Sequence, residues 1–354
     1  MTKLTAIDLF SGCGGLSVGL KKAGFRVLAA IESDDLAAAT YRKNSRKTRV
    51  LRTDIRRISP TQLLRLCGLK RGDLDLLAGC PPCQGFSTLR TLNGRDDPDE
   101  PMNDLVLQFR RFVRALFPKT IMMENVPGLA QDVRLESFCR SLRKLGYFVK
   151  FDVLDAADYG VPQRRRRMIL IASRLGEIDF AARRKSLVTV RDAIGSLPAP
   201  GVEEDELHIR TTRAAKVEAL IRKIPRDGGS RAALGKKHQL PCHKKTNGFR
   251  DVYGRMAWDR PAPTITGGCI NPSKGRFLHP VAHRAITLRE AALLQDLPRY
   301  YRFSMASGTY AVAQMIGNAF PPSFAACHAR RLAQQISGSN PKKSTKPSPK
   351  GVDV

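Results

Sequence analysis

The chain has 354 residues, enough for one large domain and a smaller one. Its hydrophobic fraction of 42% and charged fraction of 26% are typical of a soluble globular protein, and no apolar run reaches the ~18 residues of a membrane-spanning helix. The net charge of +29 favours a polyanionic partner, most often nucleic acid, over a membrane surface, because we find no basic amphipathic helix with an aromatic face.

The first residues, MTKLTAIDLFSG, run directly into a strand pattern and lack the cleavage region of a signal peptide. We therefore expect a cytoplasmic protein without a membrane anchor. In that compartment the 8 cysteines should be mostly reduced.

The first half of the chain alternates short apolar strands with amphipathic helices. In chain order the pattern predicts a strand at 5–10, a helix at 16–24, a strand at 25–33 and a helix in DDLAAATYRKN, followed by strands in LDLLAGC and TIMMENV. One helical face between the last two strands carries Leu105, Val106, Phe109, Phe112, Val113 and Leu116. Repeated strand–helix units predict an α/β fold, a parallel sheet with helices on both sides, in which ligands bind beyond the carboxyl ends of the strands.

The strand–helix pattern continues to the segment RMILIASRL and then fades. Residues 176–258 are rich in Arg, Lys, Gly, Pro and His and have few apolar periods, which predicts a second, smaller, basic domain. We assign 1–175 and 259–336 to the first domain. The Lys-, Pro- and Ser-rich residues 337–354 are expected to form a disordered basic tail.

A glycine-rich segment, DLFSGCGGLSVGL, places Gly12, Gly14 and Gly15 between a strand and a helix. Glycines at such a turn let the backbone approach a ligand closely, and the helix N-terminus adds a positive dipole. Glu32, at the end of the next strand, is suited to the ribose hydroxyls of the same ligand. Both NAD and S-adenosylmethionine sites use this arrangement, whereas the spacing matches neither a full G-x-G-x-x-G nor a P-loop. A tight turn without a ligand is the alternative.

A second segment, GCPPCQGFS (79–87), follows an apolar strand and holds Cys80 and Cys83 around two prolines. The spacing alone allows a redox pair, a metal pair, a nucleophile or two buried thiols. A metal site needs four ligands, and no second C-x-x-C occurs. The segment HQLPCH supplies His238, Cys242 and His243, but we expect no metal site there. The prolines instead stiffen a loop that directs Cys83.

Two further segments bring charged groups to strand ends. MMENVPGL ends a strand with Glu124 and Asn125, where a desolvated carboxyl group could stay protonated near neutral pH; a carboxylate that caps a helix is the alternative. In YGVPQRRRRMILIA, alternate residues of a strand share a face, so Arg165 and Arg167 should point together with Gln163. Such a face is suited to contact with a phosphate or a base edge. A merely solvent-exposed run of arginines would be unusual directly before an apolar strand.

Six segments in this order, FSGCGG, PPCQGFS, ENV, QRRRR, RPAPTIT and GNAFPP, together resemble the DNA cytosine-5 methyltransferases of bacterial restriction–modification systems. The resemblance covers residues 4–335, and the combined set is very specific although each segment alone is weak. It implies the S-adenosylmethionine-dependent methyltransferase fold, a doubly wound, mostly parallel sheet with a smaller target-recognition domain. In that family the cysteine of Pro-Cys-Gln is the nucleophile, which is Cys83 here, whereas Cys80 occupies a position without a catalytic role.

The resemblance also implies how the catalytic groups act. The Cys83 thiolate would attack carbon 6 of the cytosine and so activate carbon 5 toward the methyl group. Glu124 would hydrogen-bond or protonate ring nitrogen 3. Arg167 would bind the cytosine carbonyl, and Arg165 would brace the site or a phosphate. Because a base inside a duplex cannot reach Cys83, the target cytosine must be flipped out.

S-adenosylmethionine is the cofactor that the resemblance implies. Phe10 would stack on its adenine, and Glu32 would hold its ribose. The remaining contacts are expected from Ser11, Gly12 and Gly14 along the methionine part, from Asp54 and Ile55 at the adenine edge, and from Pro81, Leu105 and Asn318.

Double-stranded DNA is the implied partner, and the basic region 176–258 would read its bases in the major groove. DNA contacts are expected from Gln84, Ser87, Gln163, Arg250 and Arg260. A companion restriction endonuclease for the same site, association with the nucleoid and a monomeric state are further expectations.

Two rival functions share these motifs. An RNA (tRNA) cytosine-5 methyltransferase of this family usually carries a Cys-Phe-Thr tripeptide in its recognition region, which this chain lacks. A non-catalytic DNA-binding relative tends to lose the nucleophile or the Glu-Asn-Val carboxylate, and both are present here. A DNA methyltransferase is therefore the expected function.

Overall fold

A seven-stranded sheet forms the centre of the protein, whose computed structural model describes residues 3–82, 105–235 and 251–338. The strands are β1 (Thr5–Leu9), β2 (Arg26–Glu32), β3 (Arg49–Arg52), β4 (Leu76–Gly79), β5 (Thr120–Asn125), β6 (Phe148–Asp155) and β7 (Arg166–Ser173). Their order across the sheet is β3-β2-β1-β4-β5-β7-β6. Strands β1 to β5 pair in parallel, and β7 runs antiparallel to both of its neighbours, β5 and β6. The sheet is mostly parallel, which confirms the sequence-based prediction.

The helices fall into three groups along the chain. The first group consists of α1 (Gly15–Lys22), α2 (Asp35–Asn44), α3 (Pro60–Leu66), α4 (Leu105–Leu116) and α5 (Val133–Lys144). The basic region contributes α6 (Val190–Ile194) and α7 (Ala215–Lys223), and the last group is α8 (Leu288–Leu294), α9 (Gly308–Asn318) and α10 (Pro322–Ile336). Within the described part of the chain, no helix is both long and apolar enough to cross a membrane.

Both faces of the sheet are covered by helices. Because successive side chains of a strand point to opposite faces, Ile7 and Leu77 lie on one face, where they pack with residues of α3, α4 and α5. Ala6 and Ala78 lie on the other face, in a cluster with residues of α1 and α10. Strands buried on both sides require continuous apolar runs, which explains why the strand segments of the sequence hardly alternate.

Residues of the basic region pack as a small unit around α7. Its core contains Ile221, Ile224 and Leu278. The guanidinium of Arg255 is completely buried beside this core. It donates to the carbonyl oxygens of Ile221, Ile224 and His279 at 2.9–3.1 Å. These oxygens take the place of the water molecules that solvate an exposed guanidinium. Because Leu278 belongs to this core, the packed unit extends further along the chain than the basic composition indicates.

A separate apolar cluster connects α6 to the last group of helices. Val190 and Ile194 pack in one cluster with Ala291 of α8 and Ile316 of α9, and Cys13 from the loop after β1 joins them. The C-terminal helices therefore contact both the basic region and the glycine-rich loop.

Candidate active site

The loop after β1 is shaped by unusual backbone conformations. Phe10 has a φ of 58°, a left-handed value that is uncommon for a residue with a side chain, and Gly14 has a φ of 106°. A Cβ atom at Gly14 would also lie 2.9 Å from both the Tyr301 hydroxyl and the Tyr41 ring, so only glycine fits. At Gly12, by contrast, no heavy atom of the described residues lies within 4 Å of a Cβ placed there. The loop is tightly packed beneath Gly14 and open at Gly12.

The C-terminal part of the chain supports this loop and the helix that follows it. Tyr301 donates its hydroxyl to the carbonyl oxygen of Cys13. A Cβ atom at Gly15, the first residue of α1, would overlap the carbonyl oxygen of Phe320. Glycine at this position therefore allows α1 to lie directly against the segment that leads into α10.

The Glu32 carboxylate ties the glycine-rich loop to the loop after β2. Its Oε2 accepts the Gly12 N–H at 2.7 Å, and its Oε1 accepts the Asp34 N–H at 2.8 Å. Because β1 and β2 are adjacent parallel strands, a negative charge is fixed between two neighbouring carboxyl ends. The carboxylate lies where the sequence predicts an acceptor for ribose hydroxyls.

Two features of the loop leave polar groups available to a small molecule. Ser11 Oγ is buried and has no hydrogen-bond partner among the described residues. Helix α1 begins after Gly14 without a side-chain cap. The first N–H groups of a helix need such a partner and carry partial positive charge, so this end of α1 is suited to a carboxylate.

The loop after β3 carries the two residues predicted at the adenine edge. Asp54 accepts the Arg56 N–H at 2.8 Å and so caps a short 3₁₀ turn that begins with the buried Ile55. The guanidinium of Arg111 in α4 donates to the Ile55 carbonyl oxygen at 2.7 Å. The turn is therefore held by its own cap and by a helix on one face of the sheet.

The other residues predicted for the cofactor pocket come from three further segments. Pro81 follows β4, and Leu105 begins α4; both are buried. Asn318 is exposed at the end of α9, where its Oδ1 accepts from Gln314 Nε2 at 3.3 Å. Contact of these three residues with a cofactor stays a prediction.

Glu124, near the end of β5, forms an ion pair with Arg167 of β7. The distance from Arg167 Nε to Glu124 Oε1 is 2.9 Å, and the two side chains are only 17% and 12% exposed. Since β5 and β7 are paired neighbours, the ion pair crosses between adjacent strands at the carboxyl end of β5. The structure thus brings together two residues that the sequence assigns to the catalytic site.

Asn125, the next residue, holds the chain that leads to Cys83. Its buried Nδ2 donates to the Pro81 carbonyl oxygen at 2.9 Å, and its Oδ1 accepts the Val126 N–H at 2.8 Å. Sequence reasoning placed Asn125 beside Glu124 but missed this supporting role. The signal that could have indicated it is an amide at the end of an apolar strand, where its hydrogen bonds must be made within the protein.

Arg165 is buried and donates to two backbone carbonyl oxygens. Its Nη1 donates to the Ile265 carbonyl oxygen at 3.1 Å and its Nη2 to the Gly317 carbonyl oxygen at 3.0 Å. Burial and the nearby charge of Arg167 lower the pKa of Arg165 to about 9. Arg165 thereby braces the segments RPAPTIT and GNAFPP against the start of β7.

Gln163 is completely buried at the same junction. Its Nε2 donates to the Leu294 carbonyl oxygen at 2.9 Å and to Gln295 Oε1 at 2.8 Å, and its Oε1 accepts the Ile265 N–H at 3.0 Å. Contrary to the sequence-based expectation, its amide therefore has no free side to offer a base edge. Gln163 thus joins the segment before β7 to the C-terminal part of the same domain, and we do not propose it as a DNA contact.

Several predicted site residues lie outside the described residues, namely Cys83, Gln84, Ser87 and Arg250, together with His238, Cys242 and His243 of the zinc alternative. Arg260 is described and exposed, and its carbonyl oxygen accepts the Val190 N–H at 2.9 Å. Across 3–82, 105–235 and 251–338, no cluster of three or more His, Cys, Asp or Glu is arranged for a metal ion.

Comparison with protein families gives one match that spans nearly the whole chain. The family described as C-5 cytosine-specific DNA methylase matches residues 4–334. The chain belongs to this family. As a member it methylates cytosine in DNA at carbon 5, which confirms the function predicted from the six segments.

Named relatives of this methylase are Type II enzymes. It is 37% identical to the Type II methylase M.HgiDII of Herpetosiphon aurantiacus over 94% of this chain and 96% of the relative. It is 35% identical to the Type II methyltransferase M1.HphI of Haemophilus parahaemolyticus over 91% of this chain and 84% of the relative. These relatives support the predicted restriction–modification class.

Solved structures confirm the fold of the methylase. A putative DNA modification methyltransferase encoded within a prophage of E. coli superposes with a TM-score of 0.73 at 23% identity, covering 94% of this chain and 99% of that one. The S. pombe Dnmt2 methyltransferase superposes with a TM-score of 0.59 at 18% identity over 96% of this chain and 100% of that one.

Proposed function

We propose that this methylase takes a methyl group from S-adenosylmethionine and places it on carbon 5 of a flipped-out cytosine within a specific sequence of double-stranded DNA. The observation that carries the proposal is the Glu124–Arg167 ion pair, held at 2.9 Å at the carboxyl end of β5. The glycine-rich loop lies at the carboxyl end of β1 in the same sheet, so a catalytic pair and a ligand loop share one crevice.

The groups around the glycine-rich loop fit this cofactor. Bound S-adenosylmethionine would supply an electrophilic methyl group. The uncapped start of α1 would receive the carboxylate of its methionine part, and Ser11 Oγ would gain the partner that it lacks among the described residues. Glu32 would accept ribose hydroxyls, and Phe10 would stack on the adenine. The rest of the pocket would comprise Gly12, Gly14, Asp54, Ile55, Pro81, Leu105 and Asn318.

Each catalytic residue is assigned to a step in which a bond of the cytosine ring forms or breaks. The Cys83 thiolate forms a bond to carbon 6, and the displaced ring electrons are stabilised as Glu124 delivers a proton to nitrogen 3. Arg167 keeps Glu124 in place and binds the cytosine carbonyl oxygen. Carbon 5 would gain the methyl group of S-adenosylmethionine, with the electrons of the broken bond staying on the sulfur of the cofactor. Water then takes the carbon-5 proton, the electrons of that bond re-form the double bond between carbons 5 and 6 as the Cys83 thiolate leaves carbon 6, and nitrogen 3 returns its proton to Glu124.

Sequence choice is assigned to the basic region 176–258 and to the packed unit that continues to Ala285. Arg250 and Arg260, with Gln84 and Ser87 near the nucleophile, are the proposed DNA contacts. The Type II relatives favour a companion endonuclease that cuts the same unmethylated site. We take the acting form to be a monomer.

The test of this function is transfer of a tritiated methyl group to genomic DNA and to tRNA by the purified chain. We expect label in DNA only, and bisulfite sequencing of the host DNA should then show one methylated sequence. Label in tRNA alone would favour the RNA alternative, and no label in either would favour a non-catalytic DNA-binding protein.

Variants of the two thiols test the assignment of the nucleophile. Cys83→Ser should abolish methyl transfer, because a hydroxyl group near neutral pH cannot replace a thiolate. Cys80→Ser, a matched control three residues away, should keep most of the activity. Equal loss in both variants, or zinc that co-purifies stoichiometrically, would contradict the assignment.

A second pair of variants tests the division between chemistry and recognition. Glu124→Gln keeps the shape of the side chain but cannot deliver a proton, so turnover should fall while DNA and cofactor affinities hold. Arg250→Ala should weaken DNA binding without changing cofactor affinity. If Arg250 binds a base, its removal should cost ~1–3 kcal/mol of discrimination at one position, whereas removal of a phosphate-binding arginine would weaken all DNA alike. Loss of cofactor binding in Arg250→Ala would contradict the division.

A further inference from the structure

Cys80, which the family resemblance leaves without a role, lies beside Glu124 in the sheet. Strands β4 and β5 pair in parallel with Gly79 opposite Met123, so the next residue on each strand is Cys80 and Glu124 respectively. The backbone N–H of Cys80 donates to the Leu9 carbonyl oxygen at 3.3 Å, which continues the pairing of β4 with β1 past the end of the strand. Cys80 is therefore held in register on the flank of Glu124.

The side chains of Cys80 and Glu124 also point to the same face of the sheet. Ala78 of β4 and Met122 of β5 belong to the cluster that faces α1 and α10, and residues two positions further along a strand share that face. The side chain of Cys80 packs against this same cluster. Arg167 lies on the other neighbouring strand, β7, so Glu124 stands between the Arg167 guanidinium on one side and Cys80 on the other.

The environment of Cys80 keeps its sulfur protonated. Burial raises the pKa of the Cys80 thiol well above its usual range, and the charges of Glu124 and Asp8 raise the pKa further. A thiol in this state is a poor nucleophile and a permanent, weak hydrogen-bond donor. The backbone just beyond it is fixed as well, since Asn125 Nδ2 binds the Pro81 carbonyl oxygen at 2.9 Å.

We propose that Cys80 is a positioning residue for catalysis, whose thiol donates to the Glu124 carboxyl group and, together with Arg167, keeps that group directed at the target base. This inference rests on the proposed function, because it assumes that Glu124 acts on the cytosine ring. The two cysteines of GCPPCQGFS thus have different tasks, one in holding the acid and the other in attacking the base.

The test compares Cys80→Ala, Cys80→Ser and Cys139→Ala in single-turnover methyl transfer, with DNA and cofactor affinities measured separately. Cys139 is a buried thiol in α5 within the cluster on the opposite face of the sheet, so its removal controls for the loss of packing alone. Cys80→Ala should lower the rate by about two- to tenfold, the range of an ordinary hydrogen bond, at unchanged affinities. Cys80→Ser should restore most of the rate, because a hydroxyl group can donate to the same carboxyl group.

A double-mutant cycle with Glu124→Ala decides whether the effect passes through Glu124. Without a carboxyl group to position, adding Cys80→Ala should reduce the residual rate no further, whereas a purely structural role would give the same loss in both backgrounds. Equal losses, failure of serine to restore the rate, or a matching loss in Cys139→Ala would each overturn the proposal. The same cycle, measured on the free energy of unfolding, tests the hydrogen bond between Cys80 and Glu124 without an activity assay. If the wild type transferred no methyl group, the proposed function would be refuted, and the stability cycle would still test this hydrogen bond.

Discussion

Replacing Asp8 with asparagine should change how the stability of the methylase depends on pH. Asp8 lies in β1 and is completely buried; Ser17 Oγ donates to its Oδ2 at 2.6 Å, while its Oδ1 has no partner among the described residues. Burial disfavours the charged carboxylate and raises the pKa of Asp8 from 3.8 to about 7. Asparagine keeps the shape of the side chain and cannot ionise.

The sign and size of the effect follow from proton binding. Between the pKa of 3.8 in the unfolded chain and about 7 in the folded protein, only the folded state holds the proton of Asp8. The contribution of Asp8 to stability is therefore complete below the lower pKa and is lost as the pH rises through the higher one. At about 1.4 kcal/mol for each pH unit, the loss reaches about 4 kcal/mol. Asp8→Asn should match the wild type in acid and exceed it by that amount above neutral pH.

The assay is urea unfolding of both proteins at a series of pH values, plotted as the difference between their free energies of unfolding. The difference is needed because His279 and His328, whose pKa values burial lowers to about 4, make both proteins less stable as the pH falls below 6.5. Asp35→Asn is the matched control, since the side chain of Asp35 is 71% exposed. Parallel curves for Asp8→Asn and the wild type across the whole series would refute this reasoning.

Three further changes test other parts of the molecule. Asn125→Ala removes the hydrogen bond to the Pro81 carbonyl oxygen, so methyl transfer should slow by about tenfold in a single-turnover assay while cofactor affinity, measured by calorimetry, holds. Gly317→Ala would push a Cβ atom into the backbone of Thr266 and should lower the free energy of unfolding by about 1–3 kcal/mol. An unchanged free energy of unfolding would contradict this prediction. Deleting residues 338–354 of the tail should flatten the salt dependence of DNA binding and leave the methylated sequence unchanged, because lysines there would contact phosphates only. A changed recognition sequence would show that the tail also contacts bases.

The strands of the first half could be predicted from the sequence because their signal is local. The segments 5–10 and 25–33 contain β1 and β2 almost residue for residue, since strands buried on both faces need continuous apolar runs. The direction of β7 could not be predicted in the same way. An apolar run has the same appearance in either direction, and only its pairing with β5 and β6 makes it antiparallel.

The candidate site shows the same limit for side chains. Alternation along a strand predicts that Arg165 and Arg167 point together with Gln163. It cannot show that Gln163, which precedes β7, is enclosed by Leu294 and Gln295, which are more than a hundred residues away. The partnership of Cys80 with Glu124 likewise depends on the register between β4 and β5. Motif order identifies residues for catalysis, whereas their supporting contacts arise from pairing between distant segments.

The dependence of the glycine-rich loop on the C-terminal part of the chain imposes an order on biosynthesis. Cys13 and Tyr301, which join the loop to its support, are 288 residues apart. At about 5–20 residues per second, a ribosome needs about 15–60 s to make the intervening chain. During that interval a nascent methylase exposes its loop without Tyr301 or Phe320 behind it, and long-range contacts of this kind are also slow to form after release. Methyl transfer by a newly made chain therefore waits until Tyr301 and Phe320 have been synthesised, so a lag between translation and modification is built into the topology of the fold.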